Sequence, residues 1–166
     1  MVIYFSIYCL LGFFMESVYV SILQRKWIAS GLLKGPFIPL YGVGACLLIV
    51  LSPYLHQSIW LSFFIGGCAM TLLEYFTSLL IEKCFHTHCW DYSHHFCQFQ
   101  GRVCLLYFFI WCSLSYAFIF YIHPFIVSLN LVCDSMCIIC LIYIVFLLKA
   151  FIDKVQFQKT NGLDIH

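Results

Sequence analysis

Ile59–Lys83, IWLSFFIGGCAMTLLEYFTSLLIEK, is an apolar run in which Glu74 is the only charge before the pair Glu82–Lys83. At about 1.5 Å per residue a run from Ile59 to Ile81 crosses the ~30 Å of hydrocarbon in a bilayer. It predicts a membrane-spanning helix, and the rest of the chain repeats its character. On the N-terminal side, Ser52–Ser58 is a brief loop and Leu40–Leu55 a shorter apolar helix with Pro53 near its end. Before it, Ile28–Pro39 carries Gly31, Gly35, Pro36 and Pro39, a turn leading into a helix start. Val2–Leu23 is a first span closed by Gln24, Arg25, Lys26 and Trp27, too long for the apolar core of a signal peptide. On the C-terminal side, the loop CFHTHCWDYSHHFCQFQGR (Cys84–Arg102) precedes a span over Val103–Ile122, a connection at His123–Pro124 and a span over Phe125–Leu148.

Composition agrees with this pattern. Of 166 residues, 64% are hydrophobic and 9% charged, against roughly 25% charged in a soluble domain. The expectation is an all-α integral membrane bundle of five transmembrane helices: residues 1–150 form the transmembrane domain, with spans about 2–23, 40–55, 59–81, 103–122 and 125–148, and residues 151–166 form a cytoplasmic tail. A net charge of +1 without a basic stripe gives no reason to expect nucleic acid. No G-x-x-x-x-G-K-[ST] phosphate loop occurs in these residues, so ATP hydrolysis would have to come from a partner. Most of the eleven cysteines fall in apolar runs, where thiols act as small hydrophobes.

Five spans place all eight basic residues, Arg25, Lys26, Lys34, Lys83, Arg102, Lys149, Lys154 and Lys159, on one face. The positive-inside rule makes that face cytoplasmic, the N-terminus external and the C-terminus cytoplasmic in a multi-pass cell-membrane protein. Glu16 precedes Arg25 by the same interval as Glu74 precedes Lys83. That match suggests a parallel internal repeat of helices 1–2 and 3–4.

The intramembrane acids Glu16, Glu74 and Asp134 are the first candidates for chemistry. A charge near the bilayer centre costs at least ~2.5 kcal/mol, so each side chain is expected to face the bundle interior. Glu16 and Glu74, at equal depth, are expected to face one another and share a proton. Asn130, one turn before Asp134 on the expected fifth helix, offers that acid a local partner. The loop offers His86, His88, Cys89 and His94 as metal-ligand types, but without a C-x-x-C or H-E-x-x-H spacing; no cofactor is expected. Trp90 and Tyr92 suit an interface, and Asp91 is expected to pair with Arg102 or else Lys34, or to cap a turn. That pairing would bring Gly35–Tyr41 against Trp90–Arg102.

Glu16, Gly31-Leu32-Leu33-Lys34-Gly35-Pro36-Phe37-Ile38-Pro39-Leu40-Tyr41-Gly42-Val43-Gly44, Glu74-Tyr75, Glu82-Lys83, Phe85-His86, Trp90-Asp91-Tyr92-Ser93 and Gly101-Arg102 together resemble the ABC-transporter type IV family. The resemblance covers about Tyr8 to Pro124, with departures at Ala29-Ser30, where the family reads Asn-Arg, and at Gln98, where it reads Asn. It implies a multispanning membrane component of an ABC-type transport system lacking its own ATPase. The bilayer and a cytoplasmic ATPase or other membrane subunit are then the expected partners, and a homo-oligomer is admitted. A cytoplasmic loop site would comprise Lys34, Gly35, Pro36, Tyr41, Glu82, Trp90, Asp91, Tyr92, Ser93 and Arg102. Two alternatives stand beside it: a small membrane enzyme using Asp91 and nearby histidines, and an assembly or regulatory subunit without a site of its own.

Overall fold

In the computed structural model, which describes residues 1–161, the chain is an all-α membrane bundle. The elements are α1 (Val2–Gln24), α2 (Pro39–Leu55), α3 (Ile59–Phe85), a hairpin of β1 (Gln98–Phe99) and β2 (Val103–Cys104), α4 (Leu105–Ala117), a π-helical segment (Phe118–Ile122), α5 (His123–Ser128) and α6 (Asp134–Asn161). Four continuous helices, Val2–Gln24, Ile59–Phe85, Leu105–Ser128 and Asp134–Gln158, are long and apolar enough to cross a membrane; Pro39–Leu55 is a shorter fifth. The last residues of the expected tail, 162–166, lie outside the described residues.

The ends of these helices have local causes. Pro39 opens α2 in the first turn, where no backbone donor is needed. Ser58 caps α3 by accepting from the Trp60 amide at 3.2 Å. At its other end α3 runs past Glu82–Lys83 and stops where His86 turns left-handed, at φ 48°.

The chain does not turn at His123–Pro124. Pro124 has no amide proton to give and its ring crowds the preceding turn, conditions that normally break a helix. Here the backbone widens into the π segment just before it and continues as α5 to Ser128. Membrane helices tolerate such prolines because local π adjustments and neighbours resatisfy the freed carbonyls. The turn falls instead at residues 129–133. Asp134 is consequently not at mid-membrane depth: it is exposed, in the first turn of α6, where a carboxylate complements the helix dipole. The polar residues after Lys149 continue the same helix to Asn161.

Between the helices, small residues set the spacing, as expected where lipid supplies no hydrophobic drive between helices. Gly66 and Gly67 of α3 lie against Ser115 and Cys112 of α4, and Gly42 of α2 lies against Cys9 and Phe5 of α1. Tyr8, Leu48, Met70, Trp111 and Phe118 form the core these contacts enclose. A second cluster of Cys9, Leu33, Phe37 and Leu147 ties the α1–α2 loop and α6 to α1. The Tyr143 hydroxyl donates to the Pro36 carbonyl at 2.7 Å, and Phe85 meets Phe151 with ring centroids 5.3 Å apart. These two contacts set the lysine-bearing half of α6 beside the α1–α2 and α3–α4 loops, the end of the bundle that holds the other basic residues. His123, bonded to Tyr8 at 2.9 Å, and His56, against Phe120, mark the opposite end.

A side chain at Gly67 has no room, because its Cβ would come within 2.9 Å of the Cys112 Cα. Gly67→Leu is expected to lower stability by ~1–3 kcal/mol, measured as the thermal midpoint of the detergent-solubilised protein. An unchanged midpoint would mean that α3 and α4 do not meet there.

Candidate functional site

Glu74, Ser78 and Glu82 recur every four residues on α3 and so share one face. Glu74 is 3% exposed. A carboxylate so deep in an apolar bundle needs donors for both oxygens, and two aromatic side chains supply them. Trp111 of α4 donates from Nε1 to Oε2 at 2.9 Å, and the Tyr92 hydroxyl, from the α3–α4 loop, donates to Oε1 at 3.0 Å. Further along the face, Arg102 donates from Nη1 to Ser78 Oγ at 3.0 Å and pairs through Nη2 with Glu82. Tyr75, beside Glu74, donates to Gln100 Oε1 at 3.0 Å. The loop is therefore bonded to α3 residue by residue.

Its own shape makes this possible. Gln98 pairs with Cys104 and Phe99 with Val103, and the chain reverses through Gln100 and Gly101 at φ 54° and 67°. Glycine is required at the second position on two grounds: its left-handed backbone, and a Cβ there would lie 2.9 Å from Asp91 Oδ1. Behind the turn, Tyr92 donates its amide to the Gly101 carbonyl at 2.8 Å and Trp90 Nε1 donates to the Arg102 carbonyl at 3.0 Å. Those bonds fix where Tyr92 emerges. Its ring stacks on Tyr107, centroids 4.3 Å apart, and burial pushes its phenol well above the usual range.

Asp91 does not meet Arg102 or Lys34. Its Oδ1 accepts the Ser93 amide at 2.9 Å, closing a local turn, and that backbone bond holds its carboxyl below the usual aspartate range. Arg102 is turned instead toward α3, where Ser78 and Glu82 lie one helical turn apart. Ser93 contributes its backbone amide to this turn. Lys34 is exposed, and Gly35–Pro36 sits by α6 through the Pro36–Tyr143 bond.

Glu16 is half-buried and accepts from the Tyr41 hydroxyl at 2.7 Å. The two glutamates thus bond to different donors and do not form the shared carboxylate pair expected from their depth. They converge through the aromatic rings that hold them: Tyr41 and Trp111 lie 6.0 Å apart, centroid to centroid. Each acid is bonded to an aromatic donor on the helix that follows it, Glu16 of α1 to α2 and Glu74 of α3 to α4. Among the described residues, no three His, Cys, Asp or Glu side chains gather as a metal site, so His86, His88, Cys89 and His94 are not brought together as one.

Trp111, Ser78, Gln100 and Tyr107 were not singled out by sequence. Trp111 did carry a signal: a tryptophan inside an apolar run, away from both ends, has an N–H that must find a buried acceptor. Ser78 could have been found as Glu74 plus four on the same helix. Gln100 and Tyr107 carry none.

A family model described as Putative ABC-transporter type IV matches residues 3–155. No curated protein and no solved structure matches the chain.

Arg102 is the one side chain of the loop that reaches both Ser78 and Glu82. Arg102→Ala is expected to free the loop, raising its cleavage rate in limited proteolysis several-fold while the helical content stays constant. Cleavage at the wild-type rate would mean that the hairpin is held by other contacts.

Proposed function

We propose that this chain, which belongs to the ABC-transporter type IV family, is the membrane-embedded component of an ABC-type transport system whose ATP hydrolysis is supplied by a separate cytoplasmic subunit. The observation that carries this reading is the bond from Tyr92, in a loop outside the bundle, to Glu74 inside it. A partner that binds the loop and moves it would act directly on Glu74, the most deeply buried acid among the described residues. The contact surface would be formed by Lys34, Asp91 and the hairpin around Arg102, and the responding core by Glu74, Trp111, Tyr41 and Glu16. Within these 166 residues there is no phosphate-loop motif to serve the chain as its own motor.

Orientation follows from charge. Arg25, Lys26, Lys34, Lys83, Arg102, Lys149 and Lys154 belong to the end of the bundle that carries the two long loops, and by the positive-inside rule this supports a cytoplasmic assignment for that end and an external one for the N-terminus. Histidine chemistry at Asp91 is the weaker reading, because the Asp91 carboxylate is engaged with the Ser93 amide.

Two measurements check this. Affinity purification of the full chain from its native membrane is expected to bring down a phosphate-loop ATPase in stoichiometric amount. Tyr92→Phe should lower the ATPase activity of that complex at least several-fold while leaving its assembly intact. Turnover of a substrate by the purified chain alone would contradict the reading. For orientation, a cysteine placed at Lys154 in a background without reactive native thiols should be labelled by an impermeant reagent only after the membrane is opened. Labelling in intact cells would invert the assignment.

A further inference from the structure

A cavity of about 70 Å³ lies among α1, α2, α3 and α4, beside the aromatic pair and distinct from the loop contacts. Gly12, Leu48, Met70, Tyr41, Trp111 and Ser115 are part of its wall. Leu11 and Met15 of α1 also line it and are 38% and 46% exposed, so its mouth faces the lipid rather than either aqueous end. Three features set it apart from a packing defect. The first is that it is open: a packing void is sealed, whereas this space is bounded on one side by the exposed side chains of Leu11 and Met15.

The second feature is the pair of rings. Tyr41 donates its hydroxyl to Glu16 and Trp111 donates its indole N–H to Glu74. Each donation to a carboxylate pushes electron density into the ring, so both rings present more negative faces than free side chains would. The third is charge balance. Lys83, in the last turn of α3, is the one Lys or Arg on α1 to α4, and Arg102 reaches α3 at Ser78 and Glu82, so no cation lines the cavity in front of the two acids.

From these we infer that the cavity is a binding site for a single-chain cationic amphiphile that enters from the lipid, with its ammonium head against the Tyr41 and Trp111 rings and its tail leaving between Leu11 and Met15. The volume suits a compact head and no more, which is why the tail must remain in the bilayer. An uncharged chain would fill the same space without the attraction of the rings. This site goes beyond the transport reading and is measured without flux or ATP, so the failure of either is a separate result.

The test is equilibrium binding to the full chain in phosphatidylcholine nanodiscs, with partition into empty nanodiscs subtracted. Dodecylammonium is the probe and dodecanol its uncharged counterpart. The cation is expected to saturate one site per chain, at least ~10-fold tighter than the alcohol. Glu16→Gln and Tyr41→Phe should each weaken the cation severalfold and leave the alcohol unchanged. Leu11→Trp, on the exposed side of the mouth, should weaken both, and circular dichroism and size exclusion show that each variant is folded. Equal binding of cation and alcohol would reduce the cavity to a crevice for lipid tails and overturn the proposal. So would the absence of a saturable site, or cation binding that neither Glu16→Gln nor Tyr41→Phe alters.

Discussion

A carboxylate placed among apolar helices must be given donors, and the arrangement around Glu74 follows from that requirement. Lipid offers none, and water is excluded from a site 3% exposed. Of the helices that pack on α3, α4 presents an indole N–H, and the loop between them presents a phenol. Both are donors mounted on large apolar bodies, which lets them reach a buried acid without importing a second charge. An arginine in their place would have had to be desolvated as well.

The hairpin is best understood as the mounting for one of those donors. Tyr92 is held by the Gly101 carbonyl behind it and stacked on Tyr107 in front, while Arg102 ties the same turn to Ser78 and Glu82. The loop therefore takes its position from α3 twice, once through the buried acid and once through the half-exposed one. Because Glu74, Ser78 and Glu82 lie one turn apart on a single helix, a displacement of the hairpin would be felt along that whole face. This gives the transport reading its physical content: the surface where a partner could bind and the core that would respond share a few bonds.

The number of helices, the membrane environment and the inward placement of Glu74 were legible in the sequence, since long apolar runs interrupted by a single acid leave little choice. Tyr41 and Tyr92 were among the residues picked out, but their role as donors to buried acids was not. The pairing expected between Asp91 and Arg102 rested on charge and proximity along the chain. It failed because a short turn satisfied the aspartate locally while the arginine reached across to a helix twenty residues away. The break expected at His123–Pro124 failed for a different reason: proline chemistry that ends a helix in water is absorbed in a membrane helix by a π segment. Moving that break carried Asp134 from mid-span to a helix start. The equal depth expected of Glu16 and Glu74 would not by itself fix azimuth, and each acid bonds to an aromatic donor on the helix that follows it rather than to the other acid.

The bond between the loop and the core is measured most directly by a double-mutant cycle on Tyr92 and Glu74. Tyr92→Phe, Glu74→Leu and the double variant are compared with the parent chain for unfolding free energy in detergent micelles. If the Tyr92 hydroxyl donates to a buried carboxylate, the two substitutions are coupled by about 1–3 kcal/mol. Additive effects, with coupling near zero, would mean that the loop does not hold the acid and that the account of this site is wrong.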